Sequence, residues 1–380
     1  MPEYRVPGVH VEDVQRGAKP IGDVSTSTAG FVGETENGPT QPALVTSWAE
    51  YLRTFGGFID QPPLDAVNRN LPYAVRGFFE NGGERLYVAR VAGEVGIDAY
   101  IAGIEALLAI DEISLMAVPD EATVPGLTDA LLDRCERTRD RFAVLGETTH
   151  GTSVETIAQH RDSAFGAVYY PRIRVVAPHR PEGDVLVSPC GHVTGVYART
   201  DAHRGVHKAP ANEVINGIVG LRLDGGRRPL EHMLTRGEQE VLNARGVNVL
   251  SDLRGDGRGI RVWGARTMTS DPEWKYVNVR RLLIFIERSI DRGTQWAVFE
   301  PNGEPTWAAL RASIATFLLG VWRTGALLGT TPQEAFFVRC DRTTMTQDDI
   351  DHGRLVCLVG VAPVKPSEFV ILRISHQLSS

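Results

Sequence analysis

Short apolar runs alternate with helical stripes through the first half of the chain. Thr28–Glu34 holds AGFVGE, a strand pattern closed by the turn-rich Asn37–Pro42. Leu64–Asn81 carries a helical stripe that stops at Asn81-Gly82-Gly83, a glycine-based C-terminal signal. Leu86–Val91, Ile113–Val118, Phe142–Leu145 and Ala167–Val176 are strand-like, with helical Ile101–Ile110 and Leu127–Arg139 between them. Strands alternating with helices predict a layered α/β unit over about residues 25–200.

The rhythm then changes, and residues 201–365 read as a second domain. Thr235-x-x-Glu238 has capping-box spacing and opens a short helix to Ala244. Val279, Leu282, Leu283, Ile286 and Ile290 share one helical face, which places Arg280, Arg281, Glu287 and Arg288 nearer its rim. Pro305 stands where the first turn of a helix tolerates proline. Beyond it Trp307, Leu310, Ile314, Phe317 and Val321 recur at steps of three and four. Two heptads are too few for a coiled coil, so packing on a sheet is expected. Thr346 before Asp348 and Asp349 suits a helix start, and Gly353 its end.

Both ends look like isolated strands. Tyr4–Val14 is apolar on even positions, then on odd ones after Pro7–Gly8. Phe369–Ile374 is apolar on both faces. Neither has a hairpin partner beside it, so each is expected to pair at a distance or with another molecule. The expected division is an N-terminal arm at 1–24, an α/β domain at 25–200, a core domain at 201–365 and a linking strand at 366–380. Pro7–Gly8, Arg16–Pro20 and Pro363–Pro366 are the hinges.

Composition changes this picture little. With 380 residues, 42% hydrophobic and 23% charged, the chain has ample core for two or three domains. A net charge of −7 argues against nucleic-acid binding. Apolar runs such as Leu282–Ile286 are too short to span a bilayer, and no signal-peptide pattern opens the chain, so cytoplasmic folding without membrane insertion is expected. Cys135, Cys190, Cys340 and Cys357 form no CxxC pair and read as reduced, mostly buried thiols.

Chemical motifs are scarce. There is neither a GxSxG elbow nor a Walker lysine loop. Gly255, Gly257 and Gly259 precede a strand-like segment rather than a helix, and read as a turn. Arg254-Gly255-Asp256 is a tripeptide that recurs by chance. Cys190, His192, His203 and His207 invite a metal test, but their surroundings read as loop and ordinary hydrogen bonding is the expectation. Asp341–Arg342 reads as an ion pair or turn, and Asp348, Asp349 and Asp351 as helix capping rather than a calcium loop. No catalytic, cofactor or metal residue is assigned. The competing reading is an α/β enzyme with a loop-built site over Ser188–Lys208.

Several longer blocks point elsewhere. Pro7-Gly8-Val9-x-Val11-Glu12-Asp13-Val14, Pro20-Ile21 and Thr26-Ser27-Thr28-Ala29-x-Phe31-Val32-Gly33 resemble the opening of contractile tail sheath proteins, a family of phage tails and headless contractile injection particles. The resemblance returns in Gly191–Ile215, Val262–Met268, Tyr276–Ile290, Phe299–Asn302, Val338–Leu355 and Val359–Phe369, but not over about Gly93–Val187. It implies an outer α/β domain plus a C-terminal sheath core with a mixed sheet, flanking helices and terminal strands exchanged between subunits. Subunits would stack as six-fold rings around an inner tube and contract to drive it through a target envelope. Val9, Val11 and Glu12 match the N-terminal strand; Phe369, Val370, Ile371 and Leu372 occupy the C-terminal one. His10 departs from the aromatic or aliphatic residue often found there. Arg280, Arg281, Arg288 and Arg292 are candidates for meeting an acidic tube. Implied partners are further copies of the chain, the tube protein, and baseplate and terminal cap proteins, with no cofactor. Phage tail and headless particle remain open, as does a static shell or tube component.

Overall fold

The structure is a computed structural model that describes residues 19–59, 69–91, 96–121, 123–146, 154, 157, 161–180, 182–220 and 227–368. Its residues form two compact units: 24–288 with 363–368, and 19–23 with 289–362.

The larger unit is built on one sheet. Its elements in chain order are β1 (Ala29–Glu34), β2 (Ala43–Val45), α1 (Trp48–Phe55), α2 (Leu71–Glu80), β3 (Leu86–Val91), α3 (Ile97–Leu108), β4 (Leu115–Ala117), α4 (Leu127–Thr138), β5 (Phe142–Gly146) and β6 (Gly166–Tyr170). Then come β7 (Ile173–Val176), β8 (Asp184–Val187), α5 (Cys190–Arg204), β9 (Glu213–Val214), α6 (Arg236–Ala244), β10 (Val247–Asp252), β11 (Ile260–Val262) and α7 (Val277–Thr294). The sheet runs β2-β3-β1-β4-β5-β6-β10-β11-β9. Its centre is parallel, as in Ala29↔Leu86, Ala29↔Leu115, Ala143↔Gly166 and Val247↔Val168, while β2, β11 and β9 attach antiparallel.

Side-chain alternation in β1 shows why its strands are apolar on both faces. Phe31 meets Phe78 of α2, and Gly33 lies against Leu71 of α2. Gly30 and Val32, pointing the other way, lie against Leu107 and Gly103 of α3. Helices therefore cover both faces, and a strand so covered has no polar side.

Three expectations are corrected here. Ala167–Val176 is two strands, because Pro171, which has no N–H to give a ladder, interrupts it; β7 then pairs with β8 in a separate ribbon. Ser188–Lys208 is not a loop: most of it is α5, ended by Gly205 at φ 79. The expected boundary at 200/201 would cut α5, and β10 joins the large sheet beside β6. The observed break falls within α7, after Arg288.

The smaller unit holds α8 (Glu304–Arg323), α9 (Pro332–Ala335), β12 (Phe336–Arg339), α10 (Gln347–Asp351) and β13 (Leu358–Val361). Helix α8 opens with Pro305 in its first turn and buries Trp307, Leu310, Ile314, Phe317 and Val321, the stripe expected from its spacing. It packs on β12, as a helix–sheet pairing requires. Capping boxes start α6 at Thr235 and α10 at Thr346.

Candidate assembly interface

Strands β12 and β13 form a two-stranded antiparallel ribbon, Phe336↔Val361 to Arg339↔Leu358. Among the described residues each strand has one partner. In such a ribbon alternate N–H and C=O groups on each strand point away from the partner, leaving two unpaired edges. Two strands alone are marginal in water, so α8 and α9 support one face. Phe336 and Val338 turn towards that support and are half-buried.

The other face is not the polar one that alternation would lead to expect. Phe337 and Leu358 are each 50% exposed, Val359 on the supported side 37% and Leu328 nearby 53%. The Phe337 ring lies across the ribbon over Gly360, where any β-carbon would collide with it, and the Arg339 guanidinium lies 5.4 Å from the ring centroid. Further along the same unit Phe299 is fully exposed at φ 66, left-handed backbone that a bulky L-residue rarely adopts. Phe337 and Leu358 make the open face of the ribbon apolar, and its edges pair with no further strand among the described residues.

A second feature anchors residues 363–368 to the larger unit. Arg266 grips Glu368 with two hydrogen bonds, 2.5 Å from Nε to Oε1 and 2.7 Å from Nη2 to Oε2. Arg266 is itself held by donating to the Asn243 carbonyl at 2.6 Å. Lys275 Nζ stands 3.6 Å from Glu368, and Asn278 Nδ2 donates to the Val364 carbonyl at 3.1 Å. Burial alone would raise the Glu368 carboxyl, but Arg266 and Lys275 outweigh it and hold it below its ordinary value. The clamp ends one residue before Phe369.

The strands expected at Val9, Val11 and Glu12, and at Phe369, Val370, Ile371 and Leu372, lie outside the described residues. The four arginines are not alike. Arg281 is buried and bidentate to Asp201 at 3.0 and 2.6 Å, with a third bond to the Thr26 carbonyl at 2.8 Å. Arg280 is buried between the rings of Phe165 and Trp274, at 4.2 and 4.8 Å, and burial lowers its pKa. Arg288 donates to the carbonyls of Asp111, Ile113 and Asp140. The expected rim position of Arg280 and Arg281 is thus corrected: partners distant in sequence fill that side of α7. Arg292 is exposed.

The residues of the metal test do not converge. Cys190 and His192 are buried in the first turn of α5, whereas His203 is exposed in its last, about 20 Å along the axis. Among the described residues no group of three or more His, Cys, Asp or Glu is placed to hold a metal. Gly257 and Gly259 have φ of 69 and 76 in a turn between β10 and β11. Asp341 caps Thr343 in a turn, and Asp349 caps α10 and pairs with Arg354. Past the ends of the parallel strands, carboxylates tie loops together. Asp120 accepts from Asn70 N and Nδ2 and from the Tyr100 hydroxyl, and Glu121 from Ser188 Oγ.

Sequence reasoning missed the exposure of Phe299 and Phe337, the Phe337 ring over Gly360 and the pairing of Arg266 with Glu368. All but Phe337 lie inside a block of family resemblance, and only the fold separates the exposed ones from core.

Known proteins share this arrangement. The family model for the phage tail sheath protein central domain matches residues 93–268, and that for the phage tail sheath C-terminal domain matches 269–377. The first spans the stretch where no resemblance was legible. A prophage major tail sheath protein of Pseudomonas aeruginosa (strain UCBPP-PA14) is 23% identical over 383 residues, 95% of this chain and 94% of that protein. The helical sheath of the anti-feeding prophage, in its contracted state, is 31% identical with a TM-score of 0.78, covering 99% of this chain and 100% of that one. The contracted PVC sheath complex, an extracellular contractile injection system, is 28% identical with a TM-score of 0.79 and 99% coverage of both chains.

Proposed function

The chain belongs to the phage tail sheath family, the sheath proteins of contractile tails and injection systems, and on that premise we propose that it polymerises into a contracting cylinder through exchanged terminal strands. The subunits stack as six-fold rings around an inner tube. The N-terminal strand at Val9, Val11 and Glu12 and the C-terminal strand at Phe369–Leu372 complete the β12–β13 ribbons of neighbouring copies. The observation that carries this reading is that ribbon, apolar on its open face and with both edges unpaired among the described residues.

The energetics suit a mesh. An added strand opposite a four-residue edge makes about four backbone hydrogen bonds at ~1 kcal/mol net each, with more from apolar burial at ~25 cal/mol per Å². Main-chain pairing tolerates rotation about hinges at Arg16–Pro20 and Pro363–Pro366, while the Glu368 clamp fixes the point from which the C-terminal arm departs. Rigid units can then repack while the joints persist. Contraction releases a few kcal/mol per subunit stored at assembly, summed along the cylinder, so the drive needs no nucleotide.

The chain folds in the cytoplasm, meets baseplate and cap proteins at the cylinder's ends and presents breakable polar contacts to the tube, for which exposed Arg292 is the remaining candidate of the four arginines. Deleting residues 1–18 or 369–380 tests the exchange. The truncated chains should stay folded and monomeric by sedimentation and give no cylinders in negative stain; normal cylinders from either would refute it. Cylinders of two lengths and diameters from the intact chain separate contraction from a static shell.

A further inference from the structure

The register of the β12–β13 ribbon brings two thiols together. Arg339 pairs with Leu358 in antiparallel register, so the next facing pair is Cys340 and Cys357. Facing residues in such a ladder have Cα atoms about 4.5–5.5 Å apart, within the span a disulfide bridges. Both thiols are free, and they hydrogen-bond to one another. The segment between them, with α10, folds back so that Thr344 Oγ1 donates to the Val356 carbonyl at 2.8 Å, beside the pair. Arg311 donates to the Cys340 carbonyl at 3.0 Å and places positive charge near both sulfurs. Cys135 and Cys190 are fully buried in the larger unit.

We propose that Cys340 and Cys357 are a redox pair that closes to a cross-strand disulfide when the protein meets an oxidising small-molecule disulfide. The two sulfurs differ in access: Cys340 is completely buried, while Cys357 is partly exposed. Cys357 is therefore the attacking group. Its thiolate displaces one thiolate from oxidised glutathione and forms a mixed disulfide. The Cys340 thiolate then attacks the Cys357 sulfur and releases the second glutathione. Two protein thiols are oxidised and one glutathione disulfide is reduced to two thiols, which take up the two protons that the protein thiols give up. Burial pushes Cys340 up to about 12 and raises Cys357, with Arg311 opposing both shifts, so closure is slow at neutral pH and quickens as pH rises. In a reducing cytosol the pair stays open; outside it the pair pins the ribbon end that carries Phe337 and Leu358. This inference rests on the register alone and stands whether or not strands are exchanged there.

The test uses the full chain, folded, in excess oxidised glutathione, quenched with N-ethylmaleimide and digested with trypsin without reduction. The tripeptide Cys340–Arg342 should appear linked to the peptide that begins at Leu355, two hydrogens lighter than the sum, while Cys135 and Cys190 carry maleimide only after unfolding. Cys340→Ser should trap a stable glutathione adduct on Cys357, whereas Cys357→Ser should leave Cys340 unmodified. The oxidised wild-type chain should unfold several degrees above its reduced form, and the double serine variant should show no such shift. Cys340 and Cys357 both recovered as separate maleimide or glutathione adducts, or an oxidised chain with an unchanged melting temperature, would overturn the proposal.

Discussion

Replacing Phe337 with serine separates an interface residue from a merely exposed one. The ring is 50% exposed in the isolated subunit. A phenylalanine side chain buries up to about 200 Å², so roughly 100 Å² waits to be covered by a neighbouring copy. At ~25 cal/mol per Å² that half contributes about 2.5 kcal/mol per subunit to the cylinder, a factor of about 70 in the critical concentration for assembly. The inner half of the ring lies on Gly360, so serine also weakens the folded subunit. Thermal unfolding of unassembled protein measures that part separately. The assay is sedimentation across a dilution series, reading the protein left in the supernatant, with cylinders checked by negative stain. Phe337→Ser should raise that concentration well over tenfold under conditions where the subunit remains folded. A supernatant concentration within twofold of wild type would show that the ribbon's open face stays wet in the assembly.

Four further outcomes follow from the same surfaces and from one buried histidine. Phe299→Asn relieves left-handed strain of roughly 1–2 kcal/mol, so the free subunit should melt higher while assembly weakens; a lower melting temperature would contradict the strain. Glu368→Gln removes the charge gripped by Arg266, and limited proteolysis should cut 363–368 sooner with little change in global melting. Because the Glu368 carboxyl is held low, its clamp is intact above about 4.5 and released as pH falls through the lowered folded value, which acid proteolysis would detect. His192 is buried against Gly77, and burial, aided by Arg76, pushes its pKa from 6.5 down to about 3. Its contribution is complete above 6.5 and is lost as pH falls towards 3, at ~1.4 kcal/mol per unit and about 5 kcal/mol in all. Asp120, raised to about 6 by burial, gives a slope of opposite sign, so the check is the difference between wild type and His192→Gln in denaturant unfolding from pH 7 to 4.

Local chemistry was legible where the sequence itself closes the argument. Thr235 and Thr346 cap their helices because both partners of each box lie within three residues. The stripe of α8 was readable because one face is apolar and the other is not. Helix α5 was not: it is buried on nearly every side, so it has no polar face to set a period. Gly191 and Gly195 resemble breakers, yet they are where α5 approaches Ala74 and Phe78 of α2, closer than a β-carbon would permit. Arg280 and Arg281 show the same limit. The apolar stripe of α7 placed them at its rim, whereas Asp201, eighty residues earlier, and two aromatic rings place them inside.

The assembly surface exposes a subtler limit. Phe336-Phe337-Val338 reads as a strand buried on both faces, which is ordinary in the middle of a sheet. In β1 that reading is satisfied within the subunit, by α2 on one side and α3 on the other. In β12 the same kind of pattern meets α8 and α9 on one side and, among the described residues, nothing that covers Phe337 on the other. The two strands cannot be told apart by composition or period, because the sequence specifies that a face be covered and not which chain covers it. On the proposed reading, an apolar strand that the described residues leave half-covered is completed by a neighbour, and the Phe337 experiment asks whether that neighbour is another copy of this chain.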